Sequence, residues 1–222
     1  RLARLLAVRV AVPARGRATE SDVTRDLCEC LCAGAQYNLE PFFGGTNFGF
    51  SAGRLGGSLG GFAITSNDLG AALSEAGRPG PLFHAVRRVS MFASRFGRLF
   101  SHLDSRRPSV SLLPESVASP TPDGSRRHAV VHCSGTQGSV AFIFSSPPAR
   151  SSERAPREPL ALLLADGLVM PVYPGVQGVT WCVMDFRLAG RSQLDYCNIP
   201  PFALVGKVFV AAGPAGTPVR LS

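Results

Sequence analysis

Apolar residues recur at helical spacing twice in the first half of the chain and at strand spacing through most of the second. Thr19-Glu20-Ser21-Asp22 has the form of a capping box with Asp in the third position. Val23, Leu27, Cys30 and Leu31 then fall at helical spacing until Gly34, which predicts a helix of about four turns. Residues 36–43 form a short, mostly apolar run that enters Gly44-Gly45-Thr46-Asn47-Phe48-Gly49-Phe50, a tight polar turn where backbone approaches a neighbour closely. Pro41 lacks the N–H that a central strand donates, so this strand is expected to be bulged or irregular. From Pro81 the positions Leu82, Phe83, Val86, Val89, Ala93, Phe96, Leu99 and Leu103 predict one continuous amphipathic helix, with proline in the tolerated first turn.

Beyond that helix the pattern changes. Residues 105–123 carry four prolines and five serines and break the helical period, as a linker does. Residues 129–133, 139–145, 160–173, 178–188, 193–197 and 207–212 are β-rich runs separated by Gly, Pro and Ser turns, and residues 151–159 read as a polar insertion between strands. The expected fold is therefore α/β followed by all-β: an N-terminal unit over residues 1–104, a linker over 105–125, and an antiparallel β-sandwich over 126–222. Trp181, the only tryptophan, alternates with Val179 and Val183 along its strand, which predicts a core position.

Composition narrows the functional classes. With 45% hydrophobic and 17% charged residues the chain is globular in type, and no apolar run is long enough for a membrane-spanning helix. The net charge is +8, and Lys207 is the only lysine among 23 basic residues. The pairs Arg87-Arg88, Arg106-Arg107 and Arg126-Arg127 are scattered and no nucleic-acid motif accompanies them, so no nucleic-acid partner is expected. Residues 1–12, with arginines interrupting the apolar positions, read as the ragged start of a partial chain.

Six cysteines are too sparse for a disulfide scaffold. Cys28 and Cys32 share a helix face that Cys30 does not, while His128 and His132 on a strand would stand about 13 Å apart at roughly 3.3 Å per residue. Neither group suits a single ion, and no metal is expected. No Gly-x-Ser-x-Gly elbow, dinucleotide fingerprint, P-loop or His-Glu-x-x-His is present either.

The ordered blocks GGTNFGF and ITSNDLGAALSEAG, followed by a helix opening at Pro81, resemble the end of the catalytic barrel in glycoside hydrolase family 35, the β-galactosidases. The resemblance implies that residues 1–104 hold the last strand and two helices of a TIM (β/α)8 barrel. Residues 126–222 are similar to the β-domain that follows the barrel, on strand order and the Gly213-Pro214 turn. It further implies retaining hydrolysis of terminal β-linked galactose, a β-galactoside-containing carbohydrate as partner, no cofactor, and a secreted, vacuolar or lysosomal setting.

Of the pocket wall, Gly44, Gly45, Thr46 and Asn47, with Asn67 and Asp68, are the candidate substrate contacts. The family's two catalytic glutamates, at the ends of the fourth and seventh barrel strands, have no counterpart here, so no residue is assigned a catalytic role. Glu20 is read as a first-turn acid facing the helix dipole, and Glu75, in the Ser-Glu-Ala-Gly block, as a structural hydrogen-bonding group. An aromatic and a methionine of the family are replaced by Glu40 and Pro41, and its Ser-Tyr-Asp-Tyr-Asp string by Ser66-Asn67-Asp68-Leu69-Gly70, which removes three tyrosines. A competing expectation is a non-catalytic carbohydrate-binding or interaction module built on the β-half.

Overall fold

A computed structural model of the chain describes residues 8–10, 18–49, 51, 53, 65–68, 70–101, 103–104, 109–113, 128–145, 159–175, 177–188 and 192–222. Strand β1 (Val8–Val10) pairs in parallel with β2 (Tyr37–Leu39), and helix α1 (Glu20–Cys32) lies between them in sequence. Parallel neighbours need such a crossover connection. The capping box is formed: Asp22 N donates to Thr19 Oγ1 at 3.2 Å and Thr19 N to Asp22 Oδ2 at 2.9 Å. β1 falls in the stretch expected to be a ragged start, because three residues are too few to show a period. β2 stops at Leu39, and the chain turns through Glu40 and Pro41, so the strand expected to run to residue 43 ends at its proline.

The chain continues through β3 (Gly45–Thr46), β4 (Ser66–Asn67), α2 (Pro81–Arg95) and α3 (Gly97–Phe100). The single helix expected from Pro81 onward is broken at Phe96, whose backbone leaves the helical region at φ −105° and ψ 26°. Its ring is fully buried, 5.3 Å from Phe92 and 5.2 Å from Phe186. The apolar stripe thus survives where the helix does not.

The remainder is β-rich: β5 (Ser111–Leu112), β6 (His128–Gly135), β7 (Gly138–Ser145), β8 (Leu160–Leu163), β9 (Val169–Val172), β10 (Val179–Arg187), β11 (Gln193–Cys197), β12 (Pro201–Val205) and β13 (Val208–Ala211). These strands form three antiparallel sheets, ordered β11-β10-β7-β6, β5-β8-β9 and β12-β13. The expected run 160–173 is in fact a hairpin turning at Asp166-Gly167, where Leu164 N donates to Leu168 O at 2.8 Å. β12 opens on a proline, and β5 lies within the stretch expected to be linker. Neither was visible as a strand pattern.

Every residue of β7 is buried, as are the first six of β10. Both faces of the four-stranded sheet are covered, which replaces alternation with continuous apolar sequence. On one face Val140, Phe142, Phe144, Val179, Trp181 and Val183 share a core with Val23, Leu27, Cys28 and Leu31 of α1 and Val86, Val89 and Phe92 of α2. On the other, Ala141, Ile143, Cys182 and Met184 meet Leu160, Leu162, Met170 and Val172. Helices and strands from the two halves of the sequence therefore enclose one core.

Trp181 lies at its centre and is fully buried, as its alternation predicts. Phe92 stacks on it at 5.1 Å and 24°, the Arg88 guanidinium lies 4.9 Å from the ring centroid, and indole Nε1 donates to Pro201 O at 3.3 Å. A buried aromatic of this size removes roughly 150–250 Å² from water, about 4–6 kcal/mol at ~25 cal/mol/Å² before ordering costs. The start of α1 is tied to the same sheet by polar groups. Gln177 Nε2 donates to Glu20 Oε2 at 2.6 Å, Thr24 Oγ1 to Gln177 Oε1 at 2.9 Å, and Ser21 Oγ to Gln177 O at 2.8 Å. No helix among the described residues is long and apolar enough to cross a membrane.

The shared core sets an expectation for dissection. A chain beginning at residue 126 exposes Trp181, Phe142, Phe144 and Val183 together, and should show no cooperative thermal transition under conditions where the full chain does. Circular dichroism and Trp181 fluorescence during heating would check this; a sharp transition in the shortened chain would show that the strands pack without the helices.

Candidate functional site

The glycine turn and the Ser-Glu-Ala-Gly block, separated in sequence, are brought side by side by backbone pairing. β3 pairs antiparallel with β4, placing Gly45 opposite Asn67 and Thr46 opposite Ser66, and Asn47 N donates to Thr65 O at 2.7 Å. Phe43 bridges in parallel to Leu73, with Leu73 N donating to Phe42 O at 2.9 Å and Gly44 N to Leu73 O at 2.8 Å. The second block closes on itself: Ser74 N donates to Arg78 O at 2.9 Å, Gly77 N to Ser74 O at 2.8 Å and Gly80 N to Ala72 O at 3.0 Å. All six sequence-predicted contact residues, Gly44, Gly45, Thr46, Asn47, Asn67 and Asp68, thus lie in one small backbone cluster.

Gly44 is a glycine for want of space. A Cβ there would stand 2.0 Å from Asp68 Oδ1, 2.9 Å from Glu75 N and 3.0 Å from Asp68 Cα. That oxygen of Asp68 is itself engaged, accepting the Glu75 backbone N–H. The Glu75 side chain in turn accepts from Thr46 Oγ1. Hydrogen bonds from Ser66 and Thr46 hold the Glu75 carboxyl below the usual glutamate range, favouring its ionised form. The Glu75 carboxylate therefore fastens the second block to the glycine turn, and the Asp68 carboxylate holds the second block's own backbone in place behind Gly44.

Around the cluster, Phe43 and Phe48 are exposed, at 53% and 78%. Beside it runs a groove of about 520 Å³ between β2 and α2, lined by Tyr37, Asn38, Phe42, Phe83 and Met91. Tyr37 Oη and Ser90 Oγ, 2.9 Å apart, tie strand to helix across it. The exposure of Phe43 and Phe48 was not foreseen from the sequence, although no period assigns these apolar residues beside the glycines to a core.

The other candidate groups lie elsewhere. Glu20 is bound to Gln177 at the start of α1, in agreement with a structural role. Cys28 is fully buried, and burial pushes its thiol well above the ordinary range. Cys133 Sγ lies 3.6 Å from Cys32 O, joining α1 to β6. His132 is buried, at 3% exposure. Among the described residues no group of three or more His, Cys, Asp or Glu is placed to hold a metal ion.

Two outcomes follow from the cluster. Gly44→Ala drives a Cβ into an oxygen that cannot swing aside without releasing Glu75 N, and should lower stability by about 1–3 kcal/mol in chemical denaturation. Thr46→Val removes one of the bonds that lower the Glu75 pKa. Because the folded pKa lies below the unfolded one, the ionised group contributes stability that is full above about pH 4.3 and is lost as pH falls through the folded pKa. The variant should therefore be less stable than the parent near neutrality, with the gap narrowing in denaturation series carried to about pH 3. An unchanged gap would show that the bond does not favour the carboxylate.

The family model described as "Glycosyl hydrolases family 35" matches residues 13–92, a span that includes α1, the glycine turn, the Ser-Glu-Ala-Gly block and most of α2. No curated protein matches the chain. The turn geometry and the family match coincide on the same residues, and it is this span of the chain that is similar to glycosyl hydrolases family 35.

Proposed function

We propose that this chain is a β-galactosidase-type segment whose glycine turn forms part of a wall for a β-galactoside and which does not hydrolyse the substrate by itself. The observation that carries this reading is the commitment of Asp68 to the Glu75 backbone and of the Glu75 side chain to Thr46 of the turn. A retaining glycosidase needs two carboxyl groups about 5–5.5 Å apart, one of them protonated near neutrality as a general acid. Glu75 is shifted in the opposite direction.

The parallel β1–α1–β2 arrangement supports reading this region as the end of a barrel, with β1 and β2 as its last two strands. In that reading the nucleophile belongs at the end of β1, where the sequence is Val8-Arg9-Val10-Ala11-Val12. No carboxylate stands there. The C-terminal strands are then the accompanying β-domain, packed on the helices of the family segment.

A second reading, carbohydrate binding without turnover, is favoured by the exposed rings of Phe43 and Phe48 beside Asn47. Aromatic faces next to hydrogen-bonding groups suit the mixed apolar and hydroxylated surface of a sugar. Trp181 is excluded as the platform, since it is buried under Phe92.

The purified chain, incubated with a chromogenic β-galactoside, should release no chromophore above a mock purification. Turnover that disappears in Glu75→Gln or Glu20→Gln would overturn the assignment, because it would give a catalytic role to a group read as structural.

A further inference from the structure

The six cysteines are spread over both halves of the chain, and the fold brings two of them together. Cys32 is the last residue of α1, and Cys133 lies in β6, 101 positions further on. Cys133 Sγ donates to Cys32 O at 3.6 Å. The two thiols are also hydrogen-bonded to each other, a contact that pushes the Cys32 thiol up and holds that of Cys133 below its usual range. Both side chains belong to the core that α1 and α2 share with the four-stranded sheet. Cys133 is held in register there. It pairs with Val140 of β7, and beside it Ser134 N donates to Asp104 O at 3.0 Å and Asp104 N to Ser134 O at 2.9 Å.

The two sulfurs differ in access. Cys133 is buried, at 1% exposure, whereas Cys32 is half-buried and is followed by exposed Ala33 and Gly34 where the helix ends. The other four cysteines lack such a partner. Cys28 is fully buried one turn earlier on α1, and Cys30 lies on another face of that helix. Cys182 belongs to the core on the opposite face of the sheet, and Cys197 Sγ donates to Ile199 O at 3.2 Å. Thiol–disulfide exchange needs one sulfur that an oxidant can reach and a second within reach of the first. Cys32 and Cys133 supply the two.

We propose that Cys32 and Cys133 form a dithiol that closes to an intramolecular disulfide, with a small-molecule disulfide, glutathione disulfide, as the oxidant. The Cys32 thiolate attacks one sulfur of the oxidant, which forms a mixed disulfide and expels one glutathione thiolate. The Cys133 thiolate then attacks the Cys32 sulfur, which forms the Cys32–Cys133 bond and expels the second glutathione thiolate. The protein loses two electrons and two thiol protons; the oxidant gains both electrons, and its two leaving thiolates take up the protons. The bridge joins the end of α1 to the C-terminal sheet and encloses the glycine turn and α2 in one covalent loop. It therefore restricts the unfolded chain far more than the folded one.

The test equilibrates the full chain, at low protein concentration, in buffers of glutathione and glutathione disulfide, and maps the linkages by mass spectrometry after digestion without reductant. The oxidised chain should be lighter by two hydrogens and should yield a peptide joining Cys32 to Cys133, with the other four cysteines still open to alkylation after unfolding. Its thermal midpoint should lie about 5–15 °C above that of the reduced chain. Cys32→Ser alters the half-buried member, so the reduced protein should keep its fold while both the linkage and the rise in midpoint disappear. A linkage between any other two cysteines, a chain that stops at the mixed disulfide or bridges only to a second copy, or no reaction in excess glutathione disulfide would overturn the proposal. So would a midpoint that does not rise on oxidation, or one that still rises in Cys32→Ser.

Discussion

The contact between Phe92 and Trp181 is the constraint on which the rest of the molecule depends. Trp181 belongs to a strand buried on both faces, and Phe92 to the helix that follows the Ser-Glu-Ala-Gly block. Seating one ring on the other fixes α2 on the sheet. The loop from Ala72 to Gly80, closed by its own backbone bonds, leads directly into that helix, so the glycine turn paired to it takes its position from a core several elements away. Loss of volume at either ring is therefore felt at the turn as well as in the core.

The turn itself shows what a family match does and does not carry. Gly44 leaves room for Asp68, Asp68 holds the Glu75 backbone, and the Glu75 side chain holds Thr46. Each polar group is satisfied by another within the cluster. Such an arrangement is well suited to preserving the shape of a wall. It is poorly suited to acid/base work, which needs a carboxyl whose proton is poised near the working pH. A matching sequence span carries a scaffold, and chemistry has to be argued from the groups that would touch the substrate.

Much of this was legible along the chain. The capping box at Thr19 and Asp22, both main helices, the interruption at Pro41 and the core position of Trp181 all follow from local spacing. What escaped was long-range or too short to carry a period. β1 has three residues and β5 two, below the length at which alternation shows. β12 begins with a proline, which argues against a strand in any local reading. The covering of one sheet face by helices could not be read, because a strand buried by helices and one buried by a second sheet have the same apolar sequence. His132 escaped for a related reason: on a strand pattern alone it is as well exposed as buried, and only the approach of Ser109 shows which.

The clamp of Gln177 on the first turn of α1 joins residues more than 150 positions apart. A ribosome adding ~5–20 residues per second takes roughly eight to thirty seconds to deliver the second partner after the first. Throughout that interval the apolar stripe of α1, and for about its second half that of α2, has been made without the sheet that covers it. Native contacts of such sequence separation also close slowly once the chain is released, since the intervening loop must be ordered before they form. Biosynthesis of this protein is thus a problem of guarding two amphipathic helices until the last strands arrive, and holding chaperones in the host that makes it should govern its soluble yield.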